Sequence, residues 1–440
     1  MPGFEHDCNE SLTLAPVVSL RSGSPNNPIR GWNVKNEHAA NLLELRRETA
    51  SDALAPRTSS KHKHLPALDG VRGFAVLMVF LVHYGGGAKS SNFLLHTIGV
   101  SVQAGWSGVT LFFILSGFLI SGIIWDARDD PRFWRNFYMR RTLRIFPIYY
   151  ASLLLVVITA AVVGNAVFAL KHVYVYALYL QNVPLPFGAG NLGSPLELSH
   201  FWSLAVEEQF YLLWPFLLTR MKTLDQAKRL CIAIFVFSAA FRIVAWYFLP
   251  APPDAMGIPS HRIFHGAYGF TLSRAGELAA GAYLAMSYRD LVLWQRLRSL
   301  APYVCVAGLA GFLIAAAHAH TLTDECAAGF MAGLPCITIC LAALLVMALD
   351  NGFVNRVFRI GTLRWLGGIS YGFYIFHVLF TPLFGWIVTK IAPDANRNVV
   401  FGLNFIVAGS LSVLLAWLSF RFFESRFLRR RSLYKSPQNA

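Results

Sequence analysis

The sequence predicts an all-α polytopic membrane protein with about ten transmembrane helices and both termini in the cytoplasm. Three observations predict it. Of the 440 residues, 55% are hydrophobic and only 14% are charged, whereas a soluble domain carries about 25% charged residues. Apolar runs close to the roughly 20 residues that cross a bilayer as helix recur from Pro66 to Phe420. The basic residues behind a formal net charge of +15 gather in alternate connections between those runs, which is the positive-inside pattern. The bilayer is therefore an expected partner, and nucleic acid is not.

The runs lie near Pro66 to Tyr84, Gly105 to Trp125, Pro147 to Val167, Leu204 to Leu218 and Leu230 to Leu249. Five more lie near Tyr268 to Met286, Ala301 to Ala317, Phe330 to Leu349, Ile369 to Val388 and Val400 to Phe420. A further stretch, His172 to Asn182, is expected not to span. The connection holding Arg128, Arg132, Arg135, Arg140, Arg141 and Arg144, and the next basic one holding Arg220, Lys222, Lys228 and Arg229, both face the cytoplasm only if an even number of crossings separates them. Residues 1–64, polar and broken by Pro and Gly, read as a cytosolic, largely disordered extension with no cleavable secretory signal. Residues 65–423 then form the transmembrane domain and residues 424–440 a basic cytosolic tail.

Ionisable residues at membrane depth are costly, so each is a functional candidate, with helix-to-helix bonding as the plain alternative. Arg72 and His83 stand eleven positions apart, close to three helical turns, which puts them on one face about 16 Å apart. That suits a long ligand with a phosphate-bearing head at Arg72 and a reactive end at His83, a residue that exchanges protons near neutral pH. The alternative pairs Arg72 with Asp69. In the second run, the small residues Ser116-Gly117 read first as a point of close helix approach, with Ser116 lining a site as the second reading. Arg141 and Arg144, one turn apart, can grip phosphate oxygens or merely mark topology. The fourth run opens His200-Phe201-Trp202-Ser203 and continues to Glu207-Glu208-Gln209-Phe210-Tyr211, with Ser203 and Glu207 on one face. Arg274 and Glu277 are spaced to neutralise one another. Ser370, Tyr371, Tyr374 and His377 line the ninth run and are expected to complete a cavity. The cysteines carry no metal-type spacing, and Cys336 and Cys340, one turn apart, read as packing. The paired histidines His62 and His64, His261 and His265, and His318 and His320 read as solvated loop residues, so no metal is expected.

Five runs, in order, resemble membrane acyltransferase family 3, whose members are typically bacterial O-acyltransferases that modify surface or secreted glycans. They are Leu68-Asp69-Gly70-Val71-Arg72-Gly73 through His83, and Phe112-Phe113 through Ser116-Gly117-Phe118. Arg141-x-x-Arg144-Ile145-x-Pro147 follows, then Trp202-Ser203-Leu204-x-x-Glu207-x-x-Phe210-Tyr211, then Ser370-Tyr371-Gly372-x-Tyr374 through His377. The resemblance implies transfer of an acyl group, most often acetyl, from cytoplasmic acyl-CoA to a hydroxyl of a glycan or glycolipid acceptor at the bacterial inner membrane. Acyl-CoA is then a donor substrate, not a permanently bound cofactor. Arg72, Arg141 and Arg144 are expected to hold its phosphates. His83 is the expected catalytic base or transient acyl carrier, and Glu207 the catalytic carboxylate that orients it. Ser116, Trp202, Ser203, Tyr211, Tyr374 and His377 are expected around the substrates. Two departures stand out. The family's last span usually ends in a Glu-x-Pro turn, where this chain reads Glu424-Ser425-Arg426, and no esterase-like domain follows, so acceptor choice is expected to lie in the membrane domain or a separate protein. The rival reading from another class is a transporter or flippase for a glycan or lipid-linked anion, with Arg72, Glu207 and His377 as a proton relay.

Overall fold

The structure is a computed structural model, and it describes residues 65–85, 101–183, 190–248, 268–319, 321–322 and 327–434. The expected extension 1–64, with Cys8, His62 and His64, lies outside the described residues, as do His261, His265, His320 and Cys326. Every regular element among the described residues is helical. In chain order they are α1 (Pro66–Tyr84), α2 (Ser107–Ala127), α3 (Phe133–Val162), α4 (Ala166–Ala177), α5 (Trp202–Leu218), α6 (Leu224–Phe248) and α7 (Thr271–Ser287). There follow α8 (Leu291–Ala319), α9 (Leu334–Leu349), α10 (Phe353–Phe358), α11 (Gly361–Leu379), α12 (Thr381–Ile391), α13 (Arg397–Leu418) and α14 (Ser425–Arg430).

Among the described residues, seven helical segments are long and apolar enough to cross a bilayer: those containing α1, α2, α3, α6, α8, α9 and α13. An eighth is added if α11 and α12, bent by 64° at Phe380, count as one. Helices α5 and α7 have 17 residues each and fall just short of the same length. Leu154, Ile158, Val236, Val306 and Ile314 are exposed on these segments, as side chains facing lipid tails should be. The chain is thus a multi-pass membrane protein. The stretch His172 to Asn182 falls partly in α4, whose 12 residues reach only about 18 Å, well short of a hydrocarbon core.

Helix backbones touch in the order α11, α1, α2, α7. A Cβ on Gly73 of α1 would overlap the Leu363 carbonyl of α11, and one on Gly367 of α11 would overlap the Asp69 carbonyl of α1. Gly105 and Gly108, at the start of α2, press on the Met78 and Ala75 carbonyls of α1 in the same way. Gly117 of α2 and Gly281 of α7 repeat the reciprocal arrangement, against the Leu278 and Ile114 carbonyls. Where lipid supplies no hydrophobic drive, such glycine contacts are how helices gain dispersion energy from one another. Gly117 therefore fulfils the close approach expected of it, while its neighbour Ser116 faces the other way.

Helix α3 is 30 residues long, basic in its first half and interrupted by Pro147. It packs chiefly on α4 and on the chain's C-terminal segment. That segment follows from the departure noted at Glu424. With no proline to remove a backbone N–H, α13 continues through a wide turn at Ser419–Glu424 into α14 and a final turn at Arg431–Tyr434. Tyr434 ends against α3, its ring 5.7 Å from the Arg135 guanidinium.

Candidate active site

A narrow cavity of about 90 Å³ opens where α1, α2, α3, α5 and α11 converge. Arg72, Arg141 and Arg144 line it together with Ser116, Ser203, Glu207, Tyr211 and Tyr374, and with Ser370 and Tyr371. The centre is a three-residue hydroxyl and carboxylate network. Ser116 donates to Glu207 Oε1 at 2.7 Å, and the Tyr211 hydroxyl lies 3.0 Å from Oε2 and 3.1 Å from the Ser116 Oγ. Both carboxylate oxygens are thereby engaged, and neither meets an arginine at ion-pair distance. Arg72 leans on Asp69 at 3.7 Å, the pairing foreseen as an alternative, yet it still reaches the cavity wall. Arg141 lies 5.7 Å above the Tyr211 ring. Neither Arg141 nor Arg144 forms an ion pair among the described residues.

At its other end the cavity stops at Ser203 and Tyr374, whose hydroxyls are 2.5 Å apart. Behind Tyr374 stand three imidazoles. His377 is fully buried, its Nδ1 2.8 Å from the Tyr374 carbonyl. The His377 ring centroid is 5.1 Å from that of His83 and 5.7 Å from that of His200. His83 Nδ1 is 2.7 Å from the Val79 carbonyl, and His200 Nε2 is 3.0 Å from the Ile375 carbonyl. A carbonyl only accepts, so each bonded nitrogen carries a proton, and in the neutral ring the other nitrogen keeps its lone pair. The free nitrogens are Nε2 of His83, Nδ1 of His200 and Nε2 of His377, and the last two are buried without a partner. His83 occupies the last turn of α1 with its side chain exposed. Its ring is not on the cavity wall, and Glu207 bonds to Ser116 and Tyr211, not to His83.

Residues from each of these motifs line one cavity in the helical bundle, and residues 65–421 match the acyltransferase domain family. The chain belongs to membrane acyltransferase family 3. Among its relatives, the "Peptidoglycan O-acetyltransferase OatA" of Listeria monocytogenes is 27% identical over 391 residues, covering 84% of this chain and 56% of that protein. The "Putative peptidoglycan O-acetyltransferase YrhL" of Bacillus subtilis is 29% identical over 381 residues, covering 82% and 55% respectively. A "Putative O-acetyltransferase" of Staphylococcus aureus is 26% identical over 377 residues, covering 83% and 58%. The chain thus spans about half the length of the curated relatives it matches. No solved structure matches it.

Within this acyltransferase domain, three of the expected site residues stand off the cavity: His83 and His377 at its far end, and Trp202 behind its wall. The Trp202 ring meets Phe113 at 6.1 Å and Tyr268 at 5.1 Å and lies 5.7 Å from the Arg274 guanidinium. Arg274 and Glu277 do approach each other, at 3.5 Å, but Arg242 joins them at 3.7 Å from the same carboxylate. Arg274 also bonds Thr110 and sits over the rings of Phe113 and Tyr268, bracing the wall that carries Trp202. Two residues gained no role from the sequence alone. His200, one helical turn before Ser203, had only its place at the head of an apolar helix to suggest it. Arg242 had none, because its partner lies on another helix.

Proposed function

We propose that the protein is a membrane O-acyltransferase that carries an acyl group, acetyl in the first instance, from cytoplasmic acyl-CoA to a hydroxyl of a cell-envelope or secreted glycan. The observation that carries this reading is the cavity, where Arg72 and two arginines that form no ion pair among the described residues share a largely apolar wall with Ser116, Glu207, Ser203 and Tyr374. Guanidiniums in that arrangement match phosphate oxygens, and a narrow channel matches the pantetheine arm. The names of the relatives support O-acetylation, and two of them support peptidoglycan as one acceptor class to test first.

In this reading the thioester passes Tyr374 as its hydroxyl leaves Ser203. Nε2 of His83 takes the proton of the acceptor hydroxyl while that oxygen attacks the thioester carbonyl. The C–S bond breaks, CoA leaves as thiolate, and the imidazolium returns the proton to it, so that one ester and one free thiol result. His377 backs the His83 ring. Glu207 orients the Ser116 and Tyr211 hydroxyls along the channel. Topologically, the seven long segments, the bent pair and the two 17-residue helices make ten crossings, since 17 residues lie at the short end of the spanning range. The basic connections, residues 1–64 and residues 424–440 then face the cytoplasm, and a bacterial inner membrane is the host.

The test incubates membranes containing the protein with acetyl-CoA labelled in its acetyl group and a cell-envelope glycan fraction. Base-labile label on the glycan is the expected result. Absence of transfer overturns the reading, and gradient-driven movement of the glycan without an ester would put the transporter in its place.

A further inference from the structure

Next to the narrow cavity lies a second, wider one of about 340 Å³, which shares Arg72, Leu119 and Arg141 with it. Its size falls in the range of small-molecule sites, ~300–1,000 Å³. Its wall is not drawn from the spanning helices alone. Tyr434, delivered by the uninterrupted run from α13, closes one side, and Phe118, Tyr288 and Arg140 line others. Arg431, one turn before Tyr434, is within electrostatic reach of Arg72, Arg140 and Arg144 and also of Arg141. The Nε of Arg431 is buried without a partner. Arg140, Arg141, Arg144 and Arg431 form no ion pair among the described residues.

Five guanidiniums at short range repel one another, and burial makes the repulsion worse. Aspartate takes up one of them, Arg72. Of the others, Arg140 and Arg141 line a space whose wall also carries aromatic rings and the carboxylates of Asp69 and Asp130, while Arg144 and Arg431 stand off that wall; a single phosphate would need neither the room nor the rings. A nucleotide bearing several phosphates needs both: anions for the arginines and a flat base for Phe118, Tyr288 or Tyr434. A wider chamber and a narrower one that share Arg72, Leu119 and Arg141 also match a molecule with a bulky head and a thin arm.

We propose that the C-terminal turn Arg431–Tyr434 is part of the donor site, Tyr434 walling the base of the donor's nucleotide in the 340 Å³ cavity, Arg140 and Arg141 on the same wall holding the phosphates, and Arg431, off the wall but within electrostatic reach of both, adding positive charge behind them. This rests on the acyl-CoA reading and adds to it the seat of the head group and a clamp from the tail. The experiment titrates the purified full chain, in lipid nanodiscs, with CoA. Arg431→Ala is expected to weaken binding about tenfold, as loss of a partly buried positive charge beside the phosphates does, and Arg431→Gln to do the same. Arg430→Ala removes an equal charge from an exposed neighbour and is expected to stay within about twofold, given the screening of exposed charge. If the wild type binds CoA and both Arg431 variants bind it as tightly, or if Arg430→Ala weakens it equally, the tail has no place in the site and the donor reading survives. If the wild type does not bind CoA, the donor reading fails and this inference with it.

Discussion

The imidazole of His83 meets that of His377 edge to face, centroids 5.1 Å apart, and both rings commit Nδ1 to a backbone carbonyl. The base that remains on the exposed ring is Nε2 of His83. Replacing it with alanine is expected to lower acetyl transfer by about 100- to 10,000-fold, the usual worth of a positioned base. His377→Ala leaves the base in place but unbacked, and a loss of about tenfold is expected. Labelled acetyl transferred per mole of inserted protein measures both; a His83→Ala variant as fast as wild type removes the proposed base.

Ser116, Glu207 and Tyr211 form one network, so their substitutions will not act independently. Glu207→Ala strands two hydroxyls that now share a carboxylate, and a stability loss of about 1–3 kcal/mol is expected. Glu207→Gln keeps one carbonyl acceptor and is expected to lose less. Thermal unfolding in detergent ranks them, and equal melting temperatures for the two variants would contradict the network.

Arg141→Ala and Arg144→Ala are each expected to raise KM for acetyl-CoA about tenfold, with kcat held within about threefold, because a phosphate contact binds substrate and transition state alike. Raising the salt concentration should raise the wild-type KM in the same direction. A fall in kcat at unchanged KM would move these arginines from donor binding to the reacting centre.

Gly117→Val and Gly281→Val each thrust a side chain into a backbone carbonyl of the facing helix. Neither carbonyl can swing aside, so little folded protein is expected from either variant. Gly385→Ala in α12 meets open space and is expected to be neutral or slightly stabilising. Yield of monodisperse protein after extraction decides, and wild-type yield for Gly117→Val would refute the close contact.

Lys228 of α6 reaches the junction of α7 and α8, its Nζ 2.9 Å from Asp290 there and 2.8 Å from Asp225 of its own helix. The hydrogen bond from Lys228 holds the Asp290 carboxyl below the usual carboxylate range. A depressed pKa in the folded chain means that the unfolded chain binds the proton first as pH falls. The contribution is therefore complete above the unfolded pKa of about 4 and fades as the solution is acidified below it. Asp290→Asn is expected to cost at most about 1 kcal/mol at pH 7, the worth of a partly exposed pair, with the difference from wild type closing below about pH 4. A gap that widens in acid would reverse the sign of this linkage.

The bundle was legible because a bilayer imposes helix length and composition locally, with no need to know a partner. The polar residues were legible for the same reason: Arg72, Arg141, Arg144, Ser116, Ser203, Glu207, Tyr211 and Tyr374 are costly at depth, and they do face one cavity. What eluded the sequence was set by contacts between distant helices. Spacing along α1 placed His83 in line with Arg72, but the cavity ends at Tyr374, a side chain from α11. Trp202 shares a motif with Ser203, yet its ring lies off the cavity, against Phe113 and Tyr268 and near Arg274. Arg431 looked like one of several charges that fix topology, because nothing local shows that a missing proline carries it back to α3.

The glycine contacts that join α11, α1, α2 and α7 leave no slack between those four helices. They behave as the fixed jaw of a vice, carrying Arg72, Ser116 and Tyr374. Any widening of the chamber to admit or release a ligand therefore falls to the opposite jaw, α3 and α5, which bear Arg141, Arg144 and Glu207 and against whose backbones no glycine among the described residues of the fixed jaw is pressed.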